Sequence, residues 1–250
     1  MPLLPASFTT YATSALSEMS LMLFPRACAG CGTWDTSLCA ACQNELTGQW
    51  EDVSEKITGL HVVTMVEQQN IRVSHTDTHP QFPVLSLGAY SGVRKKIVVT
   101  WKNTIDAQLT ARIEESIRTQ SRLLAHEFSA AGIKRMSIVP APSRWQRKHD
   151  GLFVTGHYAQ WLTEEMNAHG IHAHYRDILQ YKGRRVKDTS KQGRKRKAQG
   201  ITARASAHGE KIVIVDDVVA SGATLNGCAR ALRHAGAHVF CAVVLANSSL

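Results

Sequence analysis

The chain has 250 residues, 44% of them hydrophobic and 20% charged, which is typical of a globular protein with one good core and a small appendage. Its formal net charge of +9 suggests an anionic partner but does not separate nucleotide phosphates from nucleic acid. No run of about 18 apolar residues occurs, so the sequence excludes a membrane-spanning helix.

The N-terminal stretch "SALSEMSLMLFP" is apolar, but it contains Glu18 and has no basic start. It is a poor match to a signal peptide, and a short amphipathic helix within residues 1–24 is the better interpretation. Without a secretion signal, we expect a cytoplasmic protein in a reducing compartment.

Four of the six cysteines form two close pairs with the spacing Cys28-x2-Cys31-x7-Cys39-x2-Cys42. Two such pairs suit tetrahedral coordination of zinc by thiolates. Two disulfides or a chance cluster of free thiols are the alternatives, and a reducing compartment disfavours the disulfides. A site with four protein ligands leaves no position for water, so we expect the zinc to be structural rather than catalytic.

The metal module covers residues 25–46, with a short helix starting in "SLCAACQNEL", and residues 47–82 are mixed and polar. Within them, "SHTDTHPQFP" is typical of a loop. Its two histidines and His61 are expected to be solvated loop residues rather than metal ligands.

Strand patterns then alternate with helix patterns. In chain order we predict a strand and turn in "VLSLGAYSG", a helix rather than a strand in "VRKKIVVTWKN", an amphipathic helix in "AQLTARIEESIRTQSRLLAHEFSAAG", a buried strand in "RMSIVPAP", a helix in "GLFVTGHYAQWLTEEMNAHG" and a short strand in "DILQY". A basic segment and a final strand, helix and strand follow. This alternation predicts a doubly wound α/β fold with a mostly parallel sheet.

The final strand and helix enclose a distinctive loop. Ile212–Val215 is an apolar run rich in β-branched residues, as in a strand buried on both faces, and a helical pattern begins at Leu225 and stops at Gly236. Asp216 and Asp217 are therefore expected at the carboxyl end of a strand, where open α/β sheets bind ligands.

The residue types in this loop match a sugar phosphate. Two adjacent carboxylates can accept hydrogen bonds from a vicinal diol, such as the 2- and 3-hydroxyls of ribose. A loop of small residues at a helix N-terminus offers free amides to a phosphate; its members are Ala220, Ser221, Gly222, Ala223 and Thr224. The alternative is a helix N-cap after a core strand, with both aspartates merely solvated.

The segment "YKGRRVKDTSKQGRKRK" has nine Lys or Arg residues between Lys182 and Lys197. Three interpretations are open. The segment is a solvated surface loop, a loop that closes over a diphosphate, or a surface that binds the phosphate backbone of a single-stranded nucleic acid. Tyr181 is the only aromatic residue beside it, so the nucleic-acid signal is weak.

Taken together, these motifs resemble the ComF family, which includes the ComFC competence proteins and the related GntX-type proteins. The resemblance covers almost the whole chain and rests on "LFPRACAGCG" with "LCAACQNEL", on "YSGVRKKIVVTWKN", on "IVPAPSRWQRK" and on "IVIVDDVVASGATL". It implies three parts: an N-terminal helix with a zinc module at 1–50, a connecting segment at 51–83, and a type I phosphoribosyltransferase-like domain at 84–250.

The resemblance also implies a ligand, 5-phosphoribosyl 1-diphosphate (PRPP), bound with magnesium. Asp216 and Asp217 would be the catalytic pair that holds the ribose, and residues 220–224 would hold the 5-phosphate. The residues expected to contact the diphosphate are Lys102, Arg144, Arg147 and Lys148. Family function implies transfer of phosphoribosyl to an unidentified acceptor and a link to competence and DNA uptake, with competence proteins or single-stranded DNA as partners.

The chain departs from the family pattern where an acceptor would bind. The family's arginine–glycine–phenylalanine–asparagine run is replaced by "HDGLFVTGHYA", which keeps Gly151 and Phe153 only. Its later arginine-x-x-asparagine matches only Arg196, with Gln199 in place of asparagine. The alternative function is therefore a catalytically inactive accessory protein that binds PRPP or single-stranded DNA.

Overall fold

The computed structural model describes residues 26–66, 75–143, 145–182 and 198–248. The helix predicted within residues 1–24 lies outside these ranges, as does almost all of the basic segment 182–197. Among the described helices, none is long and apolar enough to cross a membrane.

The strands form one large sheet and two small ones. In chain order, the described strands are β1 (Glu51–Asp52), β2 (His61–Val66), β3 (His75–Pro80), β4 (Val84–Ser86), β5 (Arg135–Pro140), β6 (His172–Tyr175), β7 (Leu179–Tyr181), β8 (Ile201–Ala203), β9 (Lys211–Val219) and β10 (His238–Asn247). The large sheet has the order β1-β4-β10-β9-β5-β6. All of its pairs are parallel except β1 with β4.

Helices cover both faces of this sheet. In chain order they are α1 (Ala40–Asn44), α2 (Gly92–Asn103), α3 (Ala107–Ala130), α4 (Trp145–His149), α5 (Val154–Ala168) and α6 (Ala223–His234). Asp106 caps α3, because its carboxylate accepts hydrogen bonds from the amides of Gln108 and Leu109. The predicted α/β fold class, with a mostly parallel sheet, is confirmed.

The apolar run of β9 separates two cores. Val213 and Val215 belong to the cluster that includes α2, α3 and α5, whereas Ile212 and Ile214 belong to the cluster that includes α6. All four are fully buried. Their alternation shows why the strand lacks polar residues: both of its faces are packed against helices.

One local prediction is wrong. "SHTDTHPQFP" contains strand β3 rather than a loop, and β3 pairs antiparallel with β2 along its whole length, from His61 opposite Pro80 to Val66 opposite His75. The polar sequence of β3 lacks an apolar face, so pattern alone indicated a loop; the strand forms because β2 supplies its hydrogen-bonding partners.

Other strands also differ from the sequence patterns. Strands β1, β2, β6 and β8 were not predicted; the four residues of β6 pair with β5 at an edge of the sheet. Strand β9 continues beyond Val215 to Val219, so the two aspartates lie within it rather than after it.

Candidate functional site

The neighbouring strands place the two aspartates at an opening in the sheet. Strand β5 ends at Pro140, opposite Val215, and the amide of Ala141 donates one more hydrogen bond to the Val215 carbonyl at 2.7 Å. Beyond that point, β10 is the one described strand that pairs with β9. Asp216 and Asp217 therefore lie at the carboxyl edge of the sheet, where β9 has lost one neighbour, and this is where α/β folds bind ligands.

A cavity of about 390 Å³ opens at this point. Both aspartates line it, together with Lys102 from α2, Thr224 from α6 and the loop at 141–143. Its volume lies within the range of small-molecule sites, roughly 300–1,000 Å³.

Lys102 and Asp217 form an ion pair through Nζ and Oδ2. The lysine belongs to the last turn of α2, where the helix dipole also favours a cation. Burial opposes the charge on Lys102, but the charges of Asp217 and then Asp216 outweigh it, so the pKa of Lys102 is raised.

Asp216 is buried beside this pair. Burial, and then the neighbouring charge of Asp217, raises the pKa of Asp216 well above its usual value, although Lys102 acts in the opposite direction. Its Oδ1 accepts a hydrogen bond from the amide of Asp217 at 2.9 Å. Asp217 thus carries the ion pair with Lys102, and Asp216 lies beside it; the oxygens of the two groups can accept hydrogen bonds from hydroxyl donors or bind a divalent cation.

The loop at 220–224 leads into α6 through Gly222. Its φ of 74° is in the left-handed region that favours glycine, and none of the described side chains caps the helix. The amides of the first turn have no partner within the helix. They are consequently available to an anion, and the hydroxyl-bearing Thr224 faces the cavity.

A segment from the N-terminal half of the chain, residues 57–60, packs against this loop. A Cβ added at Gly59 would lie 2.0 Å from the carbonyl oxygen of Ser221, and one added at Gly222 would lie 2.5 Å from Cγ2 of Ile57. The Asn226 side-chain amide donates to the Gly59 carbonyl at 2.9 Å. We refer to residues 57–60 as the loop support.

The residues expected to contact a diphosphate differ in their placement. Arg147 lines the cavity, but its guanidinium donates to the backbone carbonyl of Lys102 at 2.8 Å and to Oδ1 of Asn103 at 3.0 Å. Lys148 is not among the residues that line the cavity and donates to Oδ1 of Asp177 at 2.7 Å. Arg144 lies outside the described residues.

The structure therefore brings Asp216, Asp217, Lys102, Arg147 and Thr224 together around one cavity. Residues 220–223 form the adjacent loop but are not among those that line it.

The sequence analysis did not single out three other polar residues of the lining, Ser143, Thr155 and Tyr181, as site residues. The hydroxyl of Thr155 donates to the carbonyl of Ala141 at 3.1 Å, which fixes the loop after β5. Tyr181 begins the quoted basic segment and Thr155 lies in "HDGLFVTGHYA", but no pattern in either segment marks these side chains as neighbours of the two aspartates.

The second predicted site is the cysteine quartet. Its Sγ atoms all lie within 4.8 Å of one another, and none of the four cysteines forms a disulfide; the four are Cys28, Cys31, Cys39 and Cys42. The sulfur atoms of Cys31 and Cys39 are 3.7 Å apart, close to the roughly 3.8 Å expected for two thiolates bound tetrahedrally at about 2.3 Å from zinc. The donors and their spacing fit a metal ion.

The electrostatics of the quartet also suit a metal. Burial opposes ionisation of Cys28, but hydrogen bonds from the amides of Cys31, Cys39 and Gly30 outweigh it and lower the pKa of Cys28 to about 6. Burial and the neighbouring sulfurs raise the pKa of Cys42. The pKa of Cys31 is also lowered, chiefly by its hydrogen bond with the Thr33 hydroxyl, so two thiols of the quartet are shifted toward the thiolate, the form that binds metal.

Comparison with known proteins gives one family match. Residues 156–250 match the model of the phosphoribosyl transferase domain, and this match confirms the phosphoribosyltransferase part of the fold prediction. It includes Asp216, Asp217 and the loop at 220–224. No curated protein matches the chain.

Solved structures with some similarity include two phosphoribosyltransferases. A hypoxanthine phosphoribosyltransferase from Staphylococcus aureus aligns with 11% identity and a TM-score of 0.36, over 52% of this chain and 62% of that one. A hypoxanthine phosphoribosyltransferase from Trypanosoma cruzi aligns with 15% identity and a TM-score of 0.35, over 54% and 74%. The chain thus spans less than two thirds of the Staphylococcus aureus enzyme.

Proposed function

We propose that this chain is a ComF-type protein that binds PRPP with magnesium and transfers its phosphoribosyl group to a nitrogenous acceptor. One observation carries the proposal: two buried carboxylates and an uncapped helix N-terminus border the same cavity, in a segment that matches the phosphoribosyl transferase domain. Carboxylates and a helix N-terminus each occur in many kinds of binding site. A ribose phosphate is a ligand that can bind to both at once, through its hydroxyls and its phosphate.

The ribose and the 5-phosphate of PRPP each have matching groups. The hydroxyls of the ribose donate to Asp216 and Asp217, and the 5-phosphate accepts from the amides of the loop at 220–224. Lys102 pairs with the Asp217 carboxylate and holds it in position for this role. The loop support holds the backbone of the loop at Ser221 and Gly222.

In the proposed transfer, a nitrogen of the acceptor forms a bond to C1 of the ribose while the bond from C1 to the diphosphate oxygen breaks. The diphosphate leaves with the electron pair of that bond. Magnesium, when bound, neutralises negative charge on the diphosphate, and carboxylate with phosphate oxygens is its usual setting. The protein contributes by orienting the ribose and stabilising charge.

We assign the remaining parts of the chain as follows. The cysteine quartet binds one structural zinc ion within a module at 1–50. Residues 51–83 connect it to a phosphoribosyltransferase-like domain at 84–250. The protein acts in the cytoplasm and serves competence or DNA uptake, with competence proteins as partners.

A second function, binding of PRPP or of single-stranded DNA without transfer, is favoured by the placement of two cations. Lys148 is paired with Asp177, and the guanidinium of Arg147, although it lines the cavity, already donates to Lys102 and Asn103 at the end of α2. An accessory protein needs the ribose and 5-phosphate contacts but not the diphosphate contacts.

Diphosphate release separates the two functions. Purified protein is incubated with PRPP, magnesium and a panel of purine, pyrimidine and amine acceptors, and diphosphate is measured by a coupled assay. Acceptor-dependent release that is abolished in the Asp216→Asn/Asp217→Asn variant supports transfer. Tight PRPP binding without release for any acceptor supports the accessory function, and absence of PRPP binding contradicts both PRPP-dependent functions.

A further inference from the structure

Helix α2 joins the two predicted sites, because each of its ends contacts one of them. Its last turn carries Lys102, which forms the ion pair with Asp217 in the candidate site. Its first turn contacts residues 28–47, which contain the cysteine quartet and which we call the cysteine segment. Lys102 follows Arg94 by about two helical turns, a distance of roughly 12 Å. The helix is therefore long enough to connect the cysteine segment with the two aspartates.

Arg94, in the first turn of α2, holds the end of the cysteine segment. Its Nε donates to the carbonyl of Glu45 at 2.8 Å, and its Nη2 donates to the carbonyl of Thr47 at 3.3 Å. A Cβ added at Gly88 would lie 1.9 Å from Nη1 of Arg94, so the guanidinium also packs against the chain that leads into α2. Hydrogen bonds from a charged donor are stronger than those from a neutral one. Arg94 thus fastens the start of α2 to the cysteine segment.

An apolar contact lies beside this clamp. A Cβ added at Gly30 would lie 2.6 Å from the Sγ of Cys42 and 2.8 Å from Cγ1 of Val93. The backbone between the first two cysteines is therefore packed closely between Cys42 and the first turn of α2. Cys42 also belongs to the same core cluster as Ile97 and Trp101 of α2. The cysteine quartet and the helix consequently share one packed core.

Apolar and polar contacts constrain α2 in different ways. On its buried face Trp101 stacks on Trp161, with ring centres 6.0 Å apart and planes 13° apart. Apolar contacts are non-directional, so they hold the helix against the core more firmly than they fix its position along its own axis. Hydrogen bonds depend on both distance and angle. The position along the axis is therefore set by the bonds at the two ends, from Arg94 at the first turn and from Arg147 to the carbonyl of Lys102 at the last.

We propose that Arg94 is a positioning residue: through α2, its bonds to the cysteine segment hold the ammonium of Lys102 against Asp217. Without Arg94, the first turn of α2 is released from the carbonyls of Glu45 and Thr47, and Lys102 is held less closely to its carboxylate. Asp217 is then less well placed to accept a ribose hydroxyl. The effect on PRPP binding rests on the proposed function, whereas the effect on Lys102 does not.

The test is a pH titration of the full-length, zinc-loaded protein by nuclear magnetic resonance, with isotope label at the Cε atoms of lysine. The Lys102→Met variant identifies the Lys102 signal, which it lacks. In wild type, burial opposes the charge on Lys102, but the charges of Asp217 and then Asp216 outweigh burial and raise the pKa of Lys102. In Arg94→Met we expect this pKa to fall, because the ammonium then lies farther from Asp217. A loss of stability alone would not move the pKa in the folded protein.

Two further variants and a binding measurement complete the test. Arg94→Lys keeps the charge and one donor for the Glu45 carbonyl, so it should lower the pKa of Lys102 less than Arg94→Met does. The matched control, Lys96→Met, removes an exposed cation from the same helix and should not lower it. In calorimetry, the affinity for PRPP should fall by about fivefold in Arg94→Met and change by less than about twofold in the control.

An unchanged pKa of Lys102 in Arg94→Met would overturn the proposal, even if PRPP binding were weaker. So would an equal fall of this pKa in Lys96→Met. A fall that is specific to Arg94→Met, in a protein that binds no PRPP, would support the positioning role and contradict the proposed function. The amide spectrum verifies that each variant is folded. If Arg94→Met does not fold, the smaller fall expected in Arg94→Lys decides the question, and its absence overturns the proposal.

Discussion

Lys102, in the last turn of α2, forms an ion pair with Asp217 of β9 and so links two elements that are far apart in the chain. Among the residues that the structure describes, no cation forms an ion pair with Asp216. The guanidinium of Arg147 donates to the carbonyl of Lys102, which fixes the end of the helix that carries the lysine. The charge balance of the candidate site therefore depends on where α2 ends.

We predict that Lys102→Met lowers the free energy of unfolding by about 2 kcal/mol at neutral pH, because it leaves Asp217 buried without a partner. The loss is smaller than the roughly 3–5 kcal/mol of a fully buried pair, since 33% of the Lys102 side chain is exposed. Urea denaturation measures it. Lys95→Met, an exposed position on the same helix, is the control and should change stability by less than about 0.5 kcal/mol.

We predict that Asp216→Asn makes the protein more stable, and increasingly so as the pH rises. The pKa of Asp216 is raised by burial and by Asp217, so the folded state keeps this proton to a higher pH than the unfolded state does. Wild type therefore loses stability as the pH rises from about 4 towards the folded pKa, by at most about 1.4 kcal/mol per pH unit. Asparagine does not titrate and escapes this loss.

Urea denaturation of both proteins across this pH window tests the Asp216 prediction. The exposed Asp150→Asn serves as the control and should show no such trend. A stability difference that stays constant with pH would mean that Asp216 is not the perturbed carboxyl.

For the cysteine quartet, we predict one zinc ion per chain, released by Cys31→Ser or Cys39→Ser together with a lower melting temperature. A structural zinc site contributes its binding energy to folding. Metal analysis by mass spectrometry measures the stoichiometry. Cys228→Ala is the control, because Cys228 belongs to the buried face of α6 and should alter stability without altering metal content. Full zinc content in the quartet variants would refute the assignment.

The loop support yields a prediction about Gly59. Its backbone φ is not in the left-handed region, so Gly59→Ala is resisted only by the contact with the Ser221 carbonyl, where the new Cβ would lie 2.0 Å away. We expect a loss of about 1–3 kcal/mol in stability and weaker PRPP binding. In Gly48→Ala the new Cβ would approach the Leu87 carbonyl at 2.9 Å, away from the loop. That control should leave ligand affinity unchanged, and equal affinity in both variants would show that the support is irrelevant to binding.

The sequence predicts those parts of the molecule whose residues lie close together in the chain and whose pattern of apolar and polar residues matches their burial in the fold. The strand and helix around Asp216 were predictable because both flanking patterns are contiguous, and the cysteine quartet because its ligands lie within one short segment. Helix α2 was correctly favoured over a strand in "VRKKIVVTWKN", since its apolar residues Ile97, Val98 and Trp101 fall on one buried face.

What the sequence missed depends on contacts between distant segments. Strand β3 lacks an apolar pattern and forms against β2, so its residues were assigned to a loop. Nothing local marks Gly59 as a neighbour of Ser221, or Asp177 as the partner of Lys148. Lys148 was expected to contact diphosphate because it belongs to a basic loop; the carboxylate that holds it comes from the segment after β6.

The most direct test of the central claim is a calorimetric titration of the zinc-loaded protein with PRPP and magnesium, beside the Asp216→Asn/Asp217→Asn variant. The account predicts micromolar-range binding to wild type. It predicts that the affinity falls by at least about tenfold in the variant, because each carboxylate accepts a hydrogen bond from a ribose hydroxyl. A folded wild type that binds no PRPP, or a variant that binds it equally well, would contradict the assignment of this edge of the sheet as a ribose phosphate site.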